Sequence, residues 1–198
     1  MVAAALVVLA PLSAKTDKAI RKEAKAAEKT LKRDGYKPCE LGDVTANLEK
    51  YFIKVNAGCP RIIGTSGPCI SENLARMTAL ANAANEYAIL QGGDIRGRIV
   101  STASNLSGQQ LDNLVSSFER LVNQNIRGEL VPCASFYKEK GGMYQVRVYC
   151  IVDEDAAARA RRRAMERALE EQSLAERYGS MISEWIDEGF RQKEYTEE

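Results

Sequence analysis

Apolar residues recur along the chain with two spacings, one of three to four residues and one of two residues. The first spacing predicts helices and the second predicts strands. The clearest helical pattern covers 111–122, where one face collects Leu111, Leu114, Val115, Phe118, Leu121 and Val122. Ser107 and Gln110 stand before it at the spacing of a capping box, which satisfies backbone N–H groups at the start of a helix.

An alanine-rich segment over 71–90 predicts a second helix, which Gly92 and Gly93 would close. On a helical projection one face collects Met77, Leu80, Ala81, Ala84 and Ala88, and the opposite face collects Ala75, Ala79 and Ala83. Alanine favours helices and lets a neighbouring backbone approach closely. We therefore expect the first face to pack on a sheet. The second face either accepts another helix or consists of exposed helix formers.

Strand patterns occur at 61–67 and at 96–104, where Ile99, Val100 and Thr102 carry the pattern. The second segment has an alternative, in which the alanine-rich helix continues past its two glycines at about 1 kcal/mol for each glycine. The residue pattern leaves open whether 94–104 is strand or helix, and a strand is the preferred prediction.

A β-hairpin is predicted over 126–152, with its turn at Gly141 and Gly142. This register places Cys133 opposite Cys150, on a face that also holds Tyr137, Tyr144, Val146 and Val148. The two cysteines form either a cross-strand disulfide or a pair of buried thiols. The thiols are favoured, because cross-strand geometry often strains a disulfide.

Charged helical patterns lie near both ends of the chain. The first has a narrow apolar stripe of Ile20, Ala24, Ala27 and Leu31, so we expect it to lie on the domain surface or to project from it. A short helix follows over 43–52, with Asp43 as its N-cap. A long helix is predicted from Asp153 to about Phe190.

The far part of that long helix carries a second apolar stripe beyond its main one. The stripe consists of Tyr178, Met181, Ile182, Trp185 and Ile186. Such a stripe requires another surface to cover it, and the N-terminal helix and a second copy of the chain are the two candidates. We therefore predict it to be the interaction surface of the protein.

These elements predict an α+β fold, in which helices pack in two layers on a small mixed sheet. The expected order is roughly β-α-β-α-β-β-α, with helical N- and C-terminal extensions. Residues 58–175 would form the α+β core, after a charged helical extension over 15–57. The end of the long helix and an acidic tail would occupy 176–198.

Residues 1–14 are a candidate signal peptide. Val2 to Ala10 form an apolar run too short to cross a bilayer, Pro11 ends it, and the sequence LSA at 12–14 is similar to a small-residue cleavage site. No basic residue precedes the run, and a buried N-terminal helix or strand is the alternative. We predict export, with a mature chain that begins near Lys15 and has no transmembrane segment beyond the leader.

Composition excludes several kinds of chemistry. The 198 residues include no histidine, which rules out Ser-His-Asp and Cys-His catalysis and removes the commonest zinc ligand. The five cysteines form no CxxC pair, and we predict no catalytic, cofactor-binding or metal-binding residues. The net charge of +1 argues against nucleic acid as a partner. A basic cluster at 159–163 binds phosphate or, as we favour, forms a solvated helix face.

The segments "RIIGTSG", "NLARMTALANAANEYA", "IRGRIVSTASN" and "GGMYQVRVYCIVDEDAAARARRRA" occur in this order along the chain. In this order they resemble a family of bacterial envelope proteins. The family comprises conserved outer-membrane lipoproteins of the Lpp type and the N-terminal domain of the flagellar ring-assembly protein FlgT. The resemblance covers about 15–175 and implies an α+β domain in the cell envelope without established catalytic residues. A lipidated cysteine after the leader is absent, and the cysteine content is high for the family.

The function we expect is that of an exported protein of the periplasm or cell envelope, without enzymatic activity. It would act through an envelope protein partner or through self-association, as a structural or assembly factor, with outer-membrane association as a further possibility. The alternative is a periplasmic binding module for a glycan or peptide ligand.

Overall fold

The structure is a computed structural model that describes residues 17–40, 42–102, 106–126, 129–176 and 178–179. Within these ranges the chain forms five helices and four strands. In chain order they are α1 (Asp17–Arg33), β1 (Lys37–Pro38), α2 (Val44–Asn56), β2 (Ile62–Thr65), α3 (Glu72–Thr102), α4 (Gly108–Ile126), β3 (Leu130–Lys140), β4 (Met143–Val152) and α5 (Glu154–Glu171).

The four strands form one sheet in the order β1-β3-β4-β2. Each described pair of neighbouring strands is antiparallel, so the expectation of a mixed sheet is wrong. The α+β class itself is confirmed. The predicted strand at 61–67, the capping box and the N-cap at Asp43 also occur, as β2, at the start of α4 and at the start of α2.

Helices cover both faces of the sheet, which gives three layers instead of the expected two. On one face, α3, α4 and α5 complete a core that contains the strand residues Ile62, Val146, Val148, Cys150 and Val152. On the other face, α1 and α2 pack with Ala134, Phe136 and Tyr149. The N-terminal helix therefore lies on the domain, where Ile20, Ala24 and Leu31 are buried despite its high charge.

Helix α3 is the longest of the described elements, and up to Thr102 it replaces the strand predicted over 96–104, whose last two residues lie outside the described residues. Its residues Ile95 and Ile99 are fully buried, and burying one such side chain contributes about 1.5–3 kcal/mol. This gain exceeds the cost of about 1 kcal/mol for each helical glycine. A Cβ on Gly92 would lie 2.1 Å from the Glu119 Oε1 atom, so a larger residue there would displace the flexible Glu119 side chain.

The alanine face that packs on β2 is the one expected to accept another helix, although Ala84 and Ala88 of the other face are also buried. Ala75, Ala79 and Ala83 are fully buried, whereas Met77 is 62% exposed. The reason is the closeness of β2: a Cβ on Gly64 would lie 1.9 Å from the Ala79 carbonyl oxygen. Only small side chains fit at this distance, so Leu74 and Met77 are left on the exposed side of the first half of the helix.

The hairpin turn forms at Gly141 and Gly142, whose φ angles of +61° and +74° favour glycine. The predicted register holds from the turn to the pair Ala134 and Tyr149. A bulge between Pro132 and Ala134 then shifts the register by one residue. Cys150 therefore lies opposite Pro132, and its predicted pairing with Cys133 is wrong.

The long C-terminal helix predicted to run to about Phe190 is interrupted. Helix α5 ends at Glu171, and Ser173 has a left-handed backbone with φ of 55°. The described residues after this turn, at 175–176 and 178–179, are helical again. The rest of the predicted helix and the acidic tail lie outside the described residues, as does the candidate leader.

We expect Gly64→Ala to destabilise the protein by about 3 kcal/mol, because the new methyl group overlaps the backbone of α3 and forces it away from the sheet. Gly67→Ala is the matched control, since a Cβ there meets no atom within 4 Å. Urea denaturation followed by circular dichroism measures both. Equal midpoints for the two variants would contradict the close contact.

Candidate functional site

The predicted C-terminal interaction stripe is only partly described. Tyr178 is 7% exposed and belongs to the core, where its backbone N–H donates to the Leu174 carbonyl at 3.0 Å. The side chain of Tyr178 is therefore not available to a partner in this conformation. Met181, Ile182, Trp185 and Ile186 lie outside the described residues, so the interaction surface predicted there stays a prediction.

The two candidate paired cysteines lie on opposite faces of the sheet. Cys150 is fully buried in the core beneath α3, whereas Cys133 is partly buried in the core beneath α1 and α2. The bulge causes this separation, because it turns Cys133 to the same face as Ala134. Side chains on opposite faces do not have disulfide geometry, and both residues are free cysteines.

Burial keeps these thiols in their protonated form. It raises the pKa of Cys150 from 9.0 to about 12, with smaller contributions from Cys133 and Glu86. The pKa of Cys39 also rises to about 12, through burial and then through the nearby Glu72 carboxylate. Burial raises the pKa of Cys133 as well. A thiolate is the nucleophile and the metal ligand, so these three residues are poor candidates for either role at neutral pH.

The basic cluster at 159–163 is divided between the core and the surface. Arg161 is 2% exposed and donates to the Tyr87 hydroxyl, while Arg159, Arg162 and Arg163 are exposed. Arg161 also lies close enough to Asp94 to oppose the rise that burial causes in the pKa of that carboxyl. The cluster therefore does not converge on one phosphate-sized site.

A first surface that the residue pattern did not reveal lies at the start of α3. Ile70, Leu74 and Met77 are 78%, 46% and 62% exposed, and we call them the α3 apolar face. The signal in the sequence was the completeness of the alanine stripe at 75, 79 and 83. These three alanines pack closely on the sheet, and Leu74 and Met77 lie outside their stripe.

A second surface lies near the turn between β3 and β4. A groove of about 850 Å³ is lined there by Asp34, Pro68, Lys138, Lys140, Met143 and Gln145, among others, and we call it the hairpin groove. Behind it, the ring of Tyr36 lies 4.9 Å from the Lys138 Nζ atom and 5.0 Å from the Arg147 Cζ atom. The residue pattern predicted neither the role of Tyr36 nor the groove.

Neither a metal site nor a membrane span is found in the described part of the chain. No three histidine, cysteine, aspartate or glutamate side chains converge there as metal ligands would. Among the described helices, none combines the length and the apolar composition needed to cross a membrane.

No family model, no curated protein and no solved structure matches the chain. The resemblance to the envelope lipoproteins and to the flagellar assembly domain therefore stays a prediction.

The buried thiols predict a loss of stability at alkaline pH. Because the folded state raises the pKa of Cys150 from 9.0 to about 12, only the unfolded chain ionises this thiol between those values. The resulting stabilisation is complete below pH 9 and is lost as the pH rises. We expect Cys150→Ala to reduce the decline in the free energy of unfolding by up to about 1.4 kcal/mol per pH unit.

Urea denaturation across the alkaline range measures this effect through its slope, independently of the cavity that the smaller side chain leaves. Below about pH 8 the two proteins should show the same pH dependence, because the thiol is protonated in both states. Parallel curves over the whole range would contradict the burial of an un-ionised Cys150.

Proposed function

We propose that the chain is an exported protein of the bacterial cell envelope that has no enzymatic activity and contacts other proteins as a structural or assembly factor. The observation that carries this proposal is the α3 apolar face. Its residues Ile70, Leu74 and Met77 expose large side chains within one short segment. Adjoining exposed apolar side chains of this kind are typical of protein contact sites.

The helix that carries this face is held rigidly. Its opposite side lies against β2, where Gly64 contacts the Ala79 backbone and the Ala83 side chain closely. The α3 apolar face is therefore ordered before a partner arrives, which lowers the entropy lost on binding. Met77 adds a flexible, polarisable side chain, a type that adapts to the surface of a partner.

The absence of an activity is supported by the chemistry of the side chains. The sequence contains no histidine to serve as a general base near neutral pH. Burial raises the pKa of Cys39, Cys133 and Cys150, which disfavours a thiol nucleophile at these positions.

Export is supported by the sequence alone. The apolar run Val2 to Ala10, the break at Pro11 and the small residues that follow have the form of a leader. The resemblance to envelope proteins agrees with this placement. The hairpin groove favours the second candidate function, a periplasmic binding module for a glycan or peptide ligand.

Photocrosslinking tests the contact function. We expect benzoylphenylalanine in place of Met77 to form a discrete crosslinked product in cells, whose mass identifies a partner or a second copy. Leu74→Gln should reduce the yield by about fivefold or more, because it removes apolar contact area. Leu74 is 46% exposed, so the substitution should change the free energy of unfolding by less than about 0.5 kcal/mol.

The matched controls for this experiment are Ile89 and Val100, which are 53% and 65% exposed farther along the same helix. Benzoylphenylalanine at these positions should give little or no product. The same products from all three positions, or no product from position 77, would refute the contact function of the α3 apolar face.

Cell fractionation with N-terminal sequencing tests the location. We expect the protein in the periplasmic or envelope fraction, with a mature chain that begins near Lys15, because the sequence LSA at 12–14 is similar to a small-residue cleavage site. A cytoplasmic protein that retains Met1 would contradict export and leave the contact function to the crosslinking result.

A further inference from the structure

The hairpin groove lies where the N-terminal helical layer stops. Alternate residues of β3 face this layer, and Ala134 and Phe136 are covered by it. Lys138 and Lys140 continue the same face toward the turn, where they line the groove. One end of the sheet therefore presents an uncovered basic surface.

The basic side chains are held close together. Lys138 and Arg147 both lie over the ring of Tyr36, at 4.9 and 5.0 Å, and Tyr36 is only 5% exposed. The negative face of an aromatic ring attracts cations, so this buried ring holds both positive charges at this end of the sheet. Two fixed cations form a favourable site for a carboxylate, and Lys140 provides a third positive charge at the rim.

The carboxylates at the groove do not cancel this charge. Asp34 accepts from Arg33 at 3.4 Å, and Glu139 stands between the two lysines in the chain. The residues that line the groove carry two cations, Lys138 and Lys140, and two carboxylates, Asp34 and Glu139. The surplus of positive charge comes from Arg147, which lies with Lys138 at the Tyr36 ring, and from Arg33, which pairs with Asp34. The whole chain has a net charge of only +1, so the positive potential is local.

The outer edge of β3 is also open beside the lysines. In the described pairing, β1 contacts β3 at Phe136 and Tyr137, and the following Cys39 N–H donates to the Ser135 carbonyl at 2.9 Å. Beyond Tyr137 the backbone of β3 is free to pair with an added extended segment, which is a common mode of peptide recognition.

We propose that the hairpin groove binds an acidic, extended peptide segment of a partner protein. Its carboxylates would contact Lys138, Lys140 and Arg147, and its apolar side chains would pack on Pro68 and Met143. The mixture of cations and apolar walls suits a peptide better than a nucleic acid, which needs a wider basic surface. This binding proposal rests on the proposed function in one respect, which is that the partner is a protein.

Fluorescence anisotropy of the full chain with a labelled peptide of alternating glutamate and leucine tests the site. We expect saturable binding that weakens with salt, and a rise in Kd of about tenfold or more in Lys138→Glu/Lys140→Glu. Lys25→Glu/Lys29→Glu on the exposed side of α1 is the matched control, because it changes the net charge equally. Its Kd should stay within about twofold of that of the unaltered chain.

A second pair of variants tests the role of the aromatic ring. Tyr36→Phe keeps the ring and should keep the affinity, whereas Tyr36→Leu removes the ring and should weaken binding by about threefold or more. Circular dichroism identifies any loss of folding in Tyr36→Leu. If that variant does not fold, the comparison of the two lysine pairs decides the outcome.

Several results would overturn the proposal. They are absence of peptide binding, an equal loss in both lysine pairs, and equal binding of a peptide of alternating lysine and leucine. Binding of phosphatidylglycerol vesicles or heparin without binding of the peptide would also overturn it. So would unchanged peptide affinity with increased aggregation of Lys138→Glu/Lys140→Glu, which would assign the lysines to protection of the strand edge. The crosslinking experiment on the α3 apolar face tests the proposed function separately, and its outcome does not depend on any of these results.

Discussion

The close contact between Gly64 of β2 and Ala79 of α3 determines how the main layers of the protein meet. A Cβ at position 64 would lie 1.9 Å from a backbone oxygen of the helix, so neither side tolerates a larger group. The helix lies low on the sheet, and small side chains fill the space between them. The large apolar residues of its first half, Leu74 and Met77, are thereby left on the outside. The same constraint that packs the core creates the proposed contact face.

The unequal cover of the two sheet faces produces the second surface. Under α3 the sheet is covered over its length, from Val152 to Tyr144 at the turn end. On the other face, α1 ends at Arg33 and the aromatic cluster of Phe136, Tyr149 and Tyr51 ends the core. The hairpin extends beyond this cluster, and apart from Met143 its remaining side chains on that face are polar. The length of α1 relative to the hairpin therefore decides where the basic groove begins.

Local signals in the sequence were sufficient for much of the fold. The capping box before α4, the N-cap of α2 and the glycine turn of the hairpin depend on residues a few positions apart, and each was predictable. The errors arose where distant residues decide. Ile99 and Val100 suit a strand or a helix, and burial of Ile99 against the core favours the helix. The bulge at Cys133 likewise leaves no mark in a two-residue pattern.

The candidate sites were less predictable than the fold, for a related reason. The alanine stripe showed a closely packed helix but not which of its two faces met the sheet, because alanines occupied both. The hairpin groove depends on Tyr36 and Arg147, which are far apart in the chain and meet only through the pairing of β1 with β3 and of β3 with β4. A charge count along the sequence cannot reveal such a cluster, since Glu139 and Asp34 mask it locally.

The two proposed surfaces adjoin, and their physical properties are complementary. Pro68 lines the hairpin groove, and Ile70 begins the α3 apolar face two residues later, which is at most about 7 Å along the chain. Apolar contact contributes affinity that depends little on salt, whereas the cations of the groove accelerate and orient the approach of an acidic segment. A partner with an acidic strand next to an apolar helix or loop would engage both surfaces at once. The second contact would then form at the high local concentration that the first provides, so two individually weak sites would be sufficient for stable binding.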